Sequence, residues 1–119
     1  MKRFYYLSSC STCIRILKEI NLSSDFELID IKRTNIDANT LDTIASNIGS
    51  YESLFSRKAM KFKTLELNKQ NISEQDFRQL ILEEYTFLKR PVLIDGNHVY
   101  VGNSKITVNQ IIEHLNEVY

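Results

Sequence analysis

The apolar positions of this chain change period along its length, and each change marks an element. Phe4-Tyr5-Tyr6-Leu7 run without alternation, as in a strand buried on both faces. Cys13, Ile16, Leu17 and Ile20 then recur at helical spacing while Arg15, Lys18 and Glu19 take the other side, predicting a helix from Cys10 to about Ile20. Asn21 to Asp25 read as a turn, and Phe26 to Ile31 as a second strand with Phe26 and Leu28 on one face. A strand, a helix and a strand in so short a span imply a parallel pair with a right-handed crossover.

The middle of the chain is helical in pattern. Leu41, Ile44, Ala45 and Ile48 form an apolar stripe that Asn39 or Thr40 can cap and Gly49 can end. A short helical piece with Tyr51, Leu54 and Phe55 follows. Arg57 to Lys63 is a basic segment with Ala59, Met60 and Phe62 interleaved, and it reads as a solvated helix face. Ser73-Glu74-Gln75-Asp76 reads as a capped start for a helix carrying Phe77, Leu80, Ile81 and Tyr85 and ending near Phe87. Pro91, the single proline, opens the strand Val92-Leu93-Ile94, where a missing N–H costs least. Asp95-Gly96-Asn97-His98 turns it into Val99-Tyr100-Val101, which Gly102 and Asn103 break. Thr107 with Gln110 suggests a capping box for a last helix bearing Val108, Ile111, Ile112, Leu115 and Val118. The order predicts an α/β fold with a mixed sheet of about four strands, and a helical insertion between the β-α-β unit and a C-terminal β-hairpin.

A length of 119 residues fits one domain, residues 1–119, with a core that needs no disulfide staples. Fifteen basic and fifteen acidic residues balance, so no overall field points to direct nucleic-acid or membrane binding. The apolar run after Lys2 and Arg3 stops at Ser8, too soon for a signal-peptide core, and the expected location is cytoplasmic.

In that compartment a paired-cysteine motif points to chemistry more than to structure. The chain has two cysteines, Cys10 and Cys13, spaced Cys-x-x-Cys between a predicted strand and helix. A thiol at a helix N-terminus meets unpaired N–H groups and the positive end of the helix dipole, and both favour the thiolate. Cys10 at the mouth of the turn is the candidate nucleophile, and Cys13 one turn later is the resolving partner. Two other readings compete. Free cysteines are often small buried hydrophobes. A structural zinc site needs four ligands, whereas His98 and His114 lie far along the chain and read as ordinary surface residues.

Three stretches resemble the arsenate reductase ArsC/Spx family, over nearly the whole chain: Cys10-Ser11-Thr12-Cys13, Ser56-Arg57, and Leu88-Lys89-Arg90-Pro91-Val92-Leu93-Ile94-Asp95. The resemblance implies a thioredoxin-like fold. It matches Cys10 to the nucleophile, and Arg57 and Arg90 to two arginines that bind the oxyanion and stabilise the thiolate. It matches Pro91 to a cis-proline facing the active site. Ser11, Thr12 and Pro91 would line the substrate position with the two arginines. Arginine suits this role, because its planar fork matches an oxyanion better than lysine does. The implied function is a thiol oxidoreductase acting on a small oxyanion or a disulfide. It would carry no bound cofactor or metal and would draw electrons from glutathione or from a thioredoxin or glutaredoxin partner. The alternative is an Spx-like redox-sensing regulator that binds the RNA polymerase α-subunit, with Gly49 at the place of a glycine on the interaction face. The better-known reductases carry a third arginine near the place of Gly102 and often lack the second cysteine, and many relatives have proline before the nucleophile's turn, where this chain has Ser8-Ser9.

Overall fold

The computed structural model describes residues 1–119, which form two compact units. The first unit joins residues 1–34 to residues 90–119, and the second is residues 35–89.

The first unit holds the sheet. Strands β1 (Lys2–Tyr6), β2 (Glu27–Asp30), β3 (Val92–Asp95) and β4 (His98–Val101) lie in the order β2-β1-β3-β4. The β1–β2 pair is parallel, while β1–β3 and β3–β4 are antiparallel. Helix α1 (Ser11–Ile20) is the crossover between the parallel strands, and α5 (Lys105–Val118) closes the chain. Phe4 and Leu93 are register partners and point to the same face. There they pack with Ile16 and Ile20 of α1, Val108, Ile111 and Leu115 of α5, and Phe26. The unalternating Phe4-Tyr5 pair is buried on both faces because β1 is an interior strand. By contrast β2 is an edge strand. Leu28 is half exposed there, whereas the sequence places it with buried Phe26; Phe26 lies just outside the strand, so the strict alternation does not extend to it.

The second unit is the helical insertion. Its helices are α2 (Ala38–Ile48), α3 (Met60–Thr64) and α4 (Glu74–Glu83), with short 3-10 turns at Glu52–Leu54, Leu67–Lys69 and Tyr85–Phe87. An aromatic cluster forms its centre: Phe55 lies 4.8 Å from Phe87, 5.0 Å from Phe77 and 6.1 Å from Phe62, ring centre to ring centre. Asp42 accepts hydrogen bonds from Arg78 Nε at 2.8 Å and from the Tyr51 hydroxyl at 2.6 Å, tying α2 to α4.

Helix ends follow capping chemistry, at positions that differ in part from the sequence reading. Ser73 and Asp76 form the expected reciprocal box on α4. The cap of α2 is Asp37, not Asn39 or Thr40, and its carboxylate accepts from the Thr40 N–H at 2.7 Å. The cap of α5 is Ser104, not Thr107, and it accepts from the Thr107 N–H at 3.1 Å. In both cases an earlier residue with a short oxygen-bearing side chain already satisfies the helix's free N–H groups. No helix is long and apolar enough to cross a membrane.

Candidate active site

The end of β1, the turn that follows and the start of α1 place the two cysteines. The Cys10 N–H donates to the Leu7 carbonyl at 2.9 Å, closing a tight turn over Ser8 and Ser9. Cys10 is the N-cap residue of α1, in extended conformation with φ −94° and ψ 108°. Its side chain therefore starts where the helix's N–H groups are unpaired. Cys10 is half-buried, and Cys13, on the inner face of the first turn, is fully buried.

The two thiols have opposite tendencies. Burial, the largest single influence on Cys10, would raise its pKa. The Cys13 backbone N–H, the Cys13 thiol and the Arg90 guanidinium together outweigh burial and hold Cys10 below the ordinary thiol value. No hydrogen bond of regular capping geometry closes on the Cys10 sulfur, yet the Cys13 N–H is near enough to favour the thiolate. Cys13 is pushed up to about 11, first by burial and then by the neighbouring Cys10 sulfur, with the Leu7 backbone and Arg90 acting in the other direction. The pair thus consists of one thiol readily ionised at the surface and one held protonated beneath it.

Arg90 lies two residues before β3, and its peptide bond to Pro91 is cis. Pro91 is buried, and its carbonyl accepts from the Gly102 N–H at 2.9 Å. Gly102 has φ +99°, a conformation that L side chains rarely adopt. An arginine at this position would carry backbone strain, although the space around a Cβ there is open.

The sequence-predicted residues fall into both units. Cys10, Ser11, Thr12, Cys13, Arg90 and Pro91 belong to the first, where Cys10, Cys13 and Arg90 influence one another directly. Arg57 belongs to the second. There its Nη2 pairs with Glu52 Oε2 at 2.8 Å, and its guanidinium lies 5.5 Å from the Phe77 ring centre and 5.7 Å from that of Phe62. His98 is exposed as expected, but His114 is buried, which corrects its reading as a surface residue. Its Nε2 lies 2.9 Å from Asp95 Oδ2, and the Tyr119 hydroxyl donates to the same carboxylate at 3.2 Å. The i, i+3 relation of His114 to Ile111 placed it on the buried stripe of α5, and that spacing was the signal available in the sequence.

A thiol pair at the first helix of a β-α-β unit, with a cis-proline opening an antiparallel hairpin of the same sheet, defines the thioredoxin-like class of thiol-redox folds. Within that class the chain belongs to the ArsC family, whose model matches residues 5–111. It is 26% identical over 104 residues to the global transcriptional regulator Spx 2 of Bacillus anthracis, covering 82% of this chain and 76% of that protein. It is also similar to the solution structure of an arsenate reductase (ArsC) related protein from Brucella melitensis, with TM-score 0.68, 25% identity and 92% of each chain covered. The arsenate reductase from Vibrio cholerae shares the fold, with TM-score 0.72 at 15% identity over 94% of this chain and 95% of that one.

Proposed function

We propose that this chain is a thiol-dependent oxidoreductase resembling arsenate reductase, with Cys10 as nucleophile. One observation carries the reading: a half-exposed thiol favoured as thiolate beside Arg90, set over a buried thiol held at about 11. With a disulfide substrate, the Cys10 thiolate forms a mixed disulfide and releases one substrate thiolate. Cys13 then loses its proton and attacks the Cys10 sulfur, releasing the second thiol and leaving a Cys10–Cys13 disulfide. With an oxyanion such as arsenate, Cys10 bonds to As(V) and one oxygen leaves as water. Cys13 or glutathione then attacks the Cys10 sulfur, and the electrons of the S–As bond leave with arsenic as As(III). Two electrons from glutathione, or from a thioredoxin or glutaredoxin system, restore the dithiol.

The coupling between the thiols suits this sequence. The Cys10 sulfur is one of the influences raising Cys13. Once Cys10 is in an adduct it carries no charge, so Cys13 ionises more easily at the step that needs it. Ser11 and Thr12 bring the first N–H groups of α1 to the oxyanion, and Arg90 supplies a planar fork. The family resemblance matches Arg57 to a second oxyanion-binding arginine, and within its own unit Arg57 pairs with Glu52.

A coupled assay with arsenate tests this, with glutathione/glutaredoxin and thioredoxin systems in parallel. Slow arsenate turnover is expected, because the third arginine is absent. Arg90→Ala should lose roughly ten- to a hundredfold, as expected for one charge-assisted hydrogen bond of about 1.5–3 kcal/mol. Lys89→Ala should lose about threefold at most, as for an exposed charge. Equal losses in the two variants would mean a merely basic surface.

A second reading rests on the identity with a transcriptional regulator. On it, the same pair is a redox switch in a protein that binds the RNA polymerase α-subunit. Capture of the α-subunit that changes with oxidation, without turnover of any acceptor, would favour this reading.

A further inference from the structure

We infer that Asp30 is a positioning residue for the nucleophile, acting through Ser8 in the Cys10 turn. This rests on the oxidoreductase reading above. Asp30 is the last residue of β2, next to the end of β1 in the parallel ladder. Its Oδ1 accepts from the Ser8 N–H at 3.3 Å and from the Lys32 N–H at 3.2 Å. The Ser8 hydroxyl also acts on its carboxyl, favouring the ionised form. Ser8 is a central residue of the turn that the Cys10 N–H closes onto Leu7.

The neighbouring backbone fixes Asp30 in turn. The Ile31 N–H donates to the Tyr6 carbonyl at 2.9 Å, and the Arg33 and Thr34 N–H groups donate to the Asp30 carbonyl at 3.0 Å each. The carboxylate thus stands on a braced strand end and grips a turn of two exposed serines. Neither Ser8 nor Ser9 has the fixed φ of a proline, so the turn is left to hydrogen bonds. The Ser8 hydroxyl, and then the Ser8 and Lys32 N–H groups, outweigh a smaller burial effect and hold the Asp30 carboxyl below its usual range. The grip therefore stays in its ionised, accepting form at neutral pH.

Two effects of removing Asp30 have opposite signs, which makes the inference testable. Loss of a nearby negative charge would lower the Cys10 pKa. Loss of the grip would let the turn loosen, weaken the Cys13 N–H and Arg90 interactions at Cys10, and raise it. The test is the pH dependence of Cys10 alkylation by iodoacetamide, followed by peptide mass spectrometry, in Asp30→Ala, Asp30→Asn and Ser8→Ala. Asparagine keeps an acceptor oxygen but not the charge, so Asp30→Asn should leave the midpoint at or below the wild-type value, never above it. Asp30→Ala should move the midpoint up, with alkylation about three- to fivefold slower at a pH below both midpoints. Hydrogen exchange at the Ser8 and Cys10 amides should quicken in Asp30→Ala alone. Ser8→Ala, which keeps the backbone bond and the fold, should give a smaller slowing in the same direction. A lowered or unchanged midpoint in Asp30→Ala would overturn the inference while leaving the oxidoreductase reading intact. An ordinary wild-type Cys10 midpoint would overturn that reading, and this inference with it.

Discussion

Cys10→Ser should abolish thiol-dependent turnover, by at least about a thousandfold, with every acceptor tested. The reason is chemical. The Cys13 N–H, the Cys13 thiol and the Arg90 guanidinium together outweigh burial and favour an ionised sulfur whose free pKa is about 8.5. A serine hydroxyl ionises far higher and would need a general base beside it. The groups acting on position 10 are donors and a cation, and none of them is a base. Cys13→Ser should behave differently. The first attack survives, and the intramolecular disulfide is lost, so turnover depends on external glutathione. Mass spectrometry after mild peroxide should show the loss of two hydrogens in the wild-type monomer and not in Cys13→Ser. Disulfide-linked dimers alone in the wild type would remove Cys13 as the resolving thiol.

Phe55→Ala should destabilise the protein by about 3–5 kcal/mol, a large part of the roughly 5–15 kcal/mol that a domain has. Phe55 is 2% exposed and touches three other aromatic rings, so truncation opens a cavity that rigid neighbours cannot fill. The Phe62 and Phe77 rings also carry the Arg57 guanidinium, so the same change loosens that arginine's support. Urea unfolding should show a lower midpoint at nearly constant slope. Met60→Ala is the control: Met60 is 83% exposed, and its loss should change stability by less than about 0.5 kcal/mol.

The parts of the fold legible in the sequence are those where a local pattern has one physical meaning. The Cys-x-x-Cys at a strand-to-helix junction fixed the place of Cys10 at the start of α1, because both periodicities break there. The Asp95-Gly96-Asn97 cluster marked the hairpin, and Ser73 with Asp76 marked the start of α4. The caps of α2 and α5 were less legible. Each is preceded by several oxygen-bearing side chains, and backbone geometry decides among them. His114 stood on the apolar stripe of the last helix, but its polar partner was not legible. Asp95, its hydrogen-bond partner, is nineteen residues away, and only the tertiary fold brings the two together. Ser8 and Asp30 are likewise separated by twenty-two residues and meet only through the parallel pairing of β1 and β2.

The central claim is that the two cysteines have divided roles, and their separate titrations test it most directly. Reduced wild-type protein is labelled with iodoacetamide across a pH series, and each cysteine peptide is quantified. Cys10 should label first, with a midpoint below the ordinary thiol value of about 8.5, its rate rising with pH up to that midpoint and level above it. Cys13 should stay unlabelled until far more alkaline pH, consistent with a value of about 11. Coincident curves at an ordinary thiol midpoint, or Cys13 labelling before Cys10, would contradict the account.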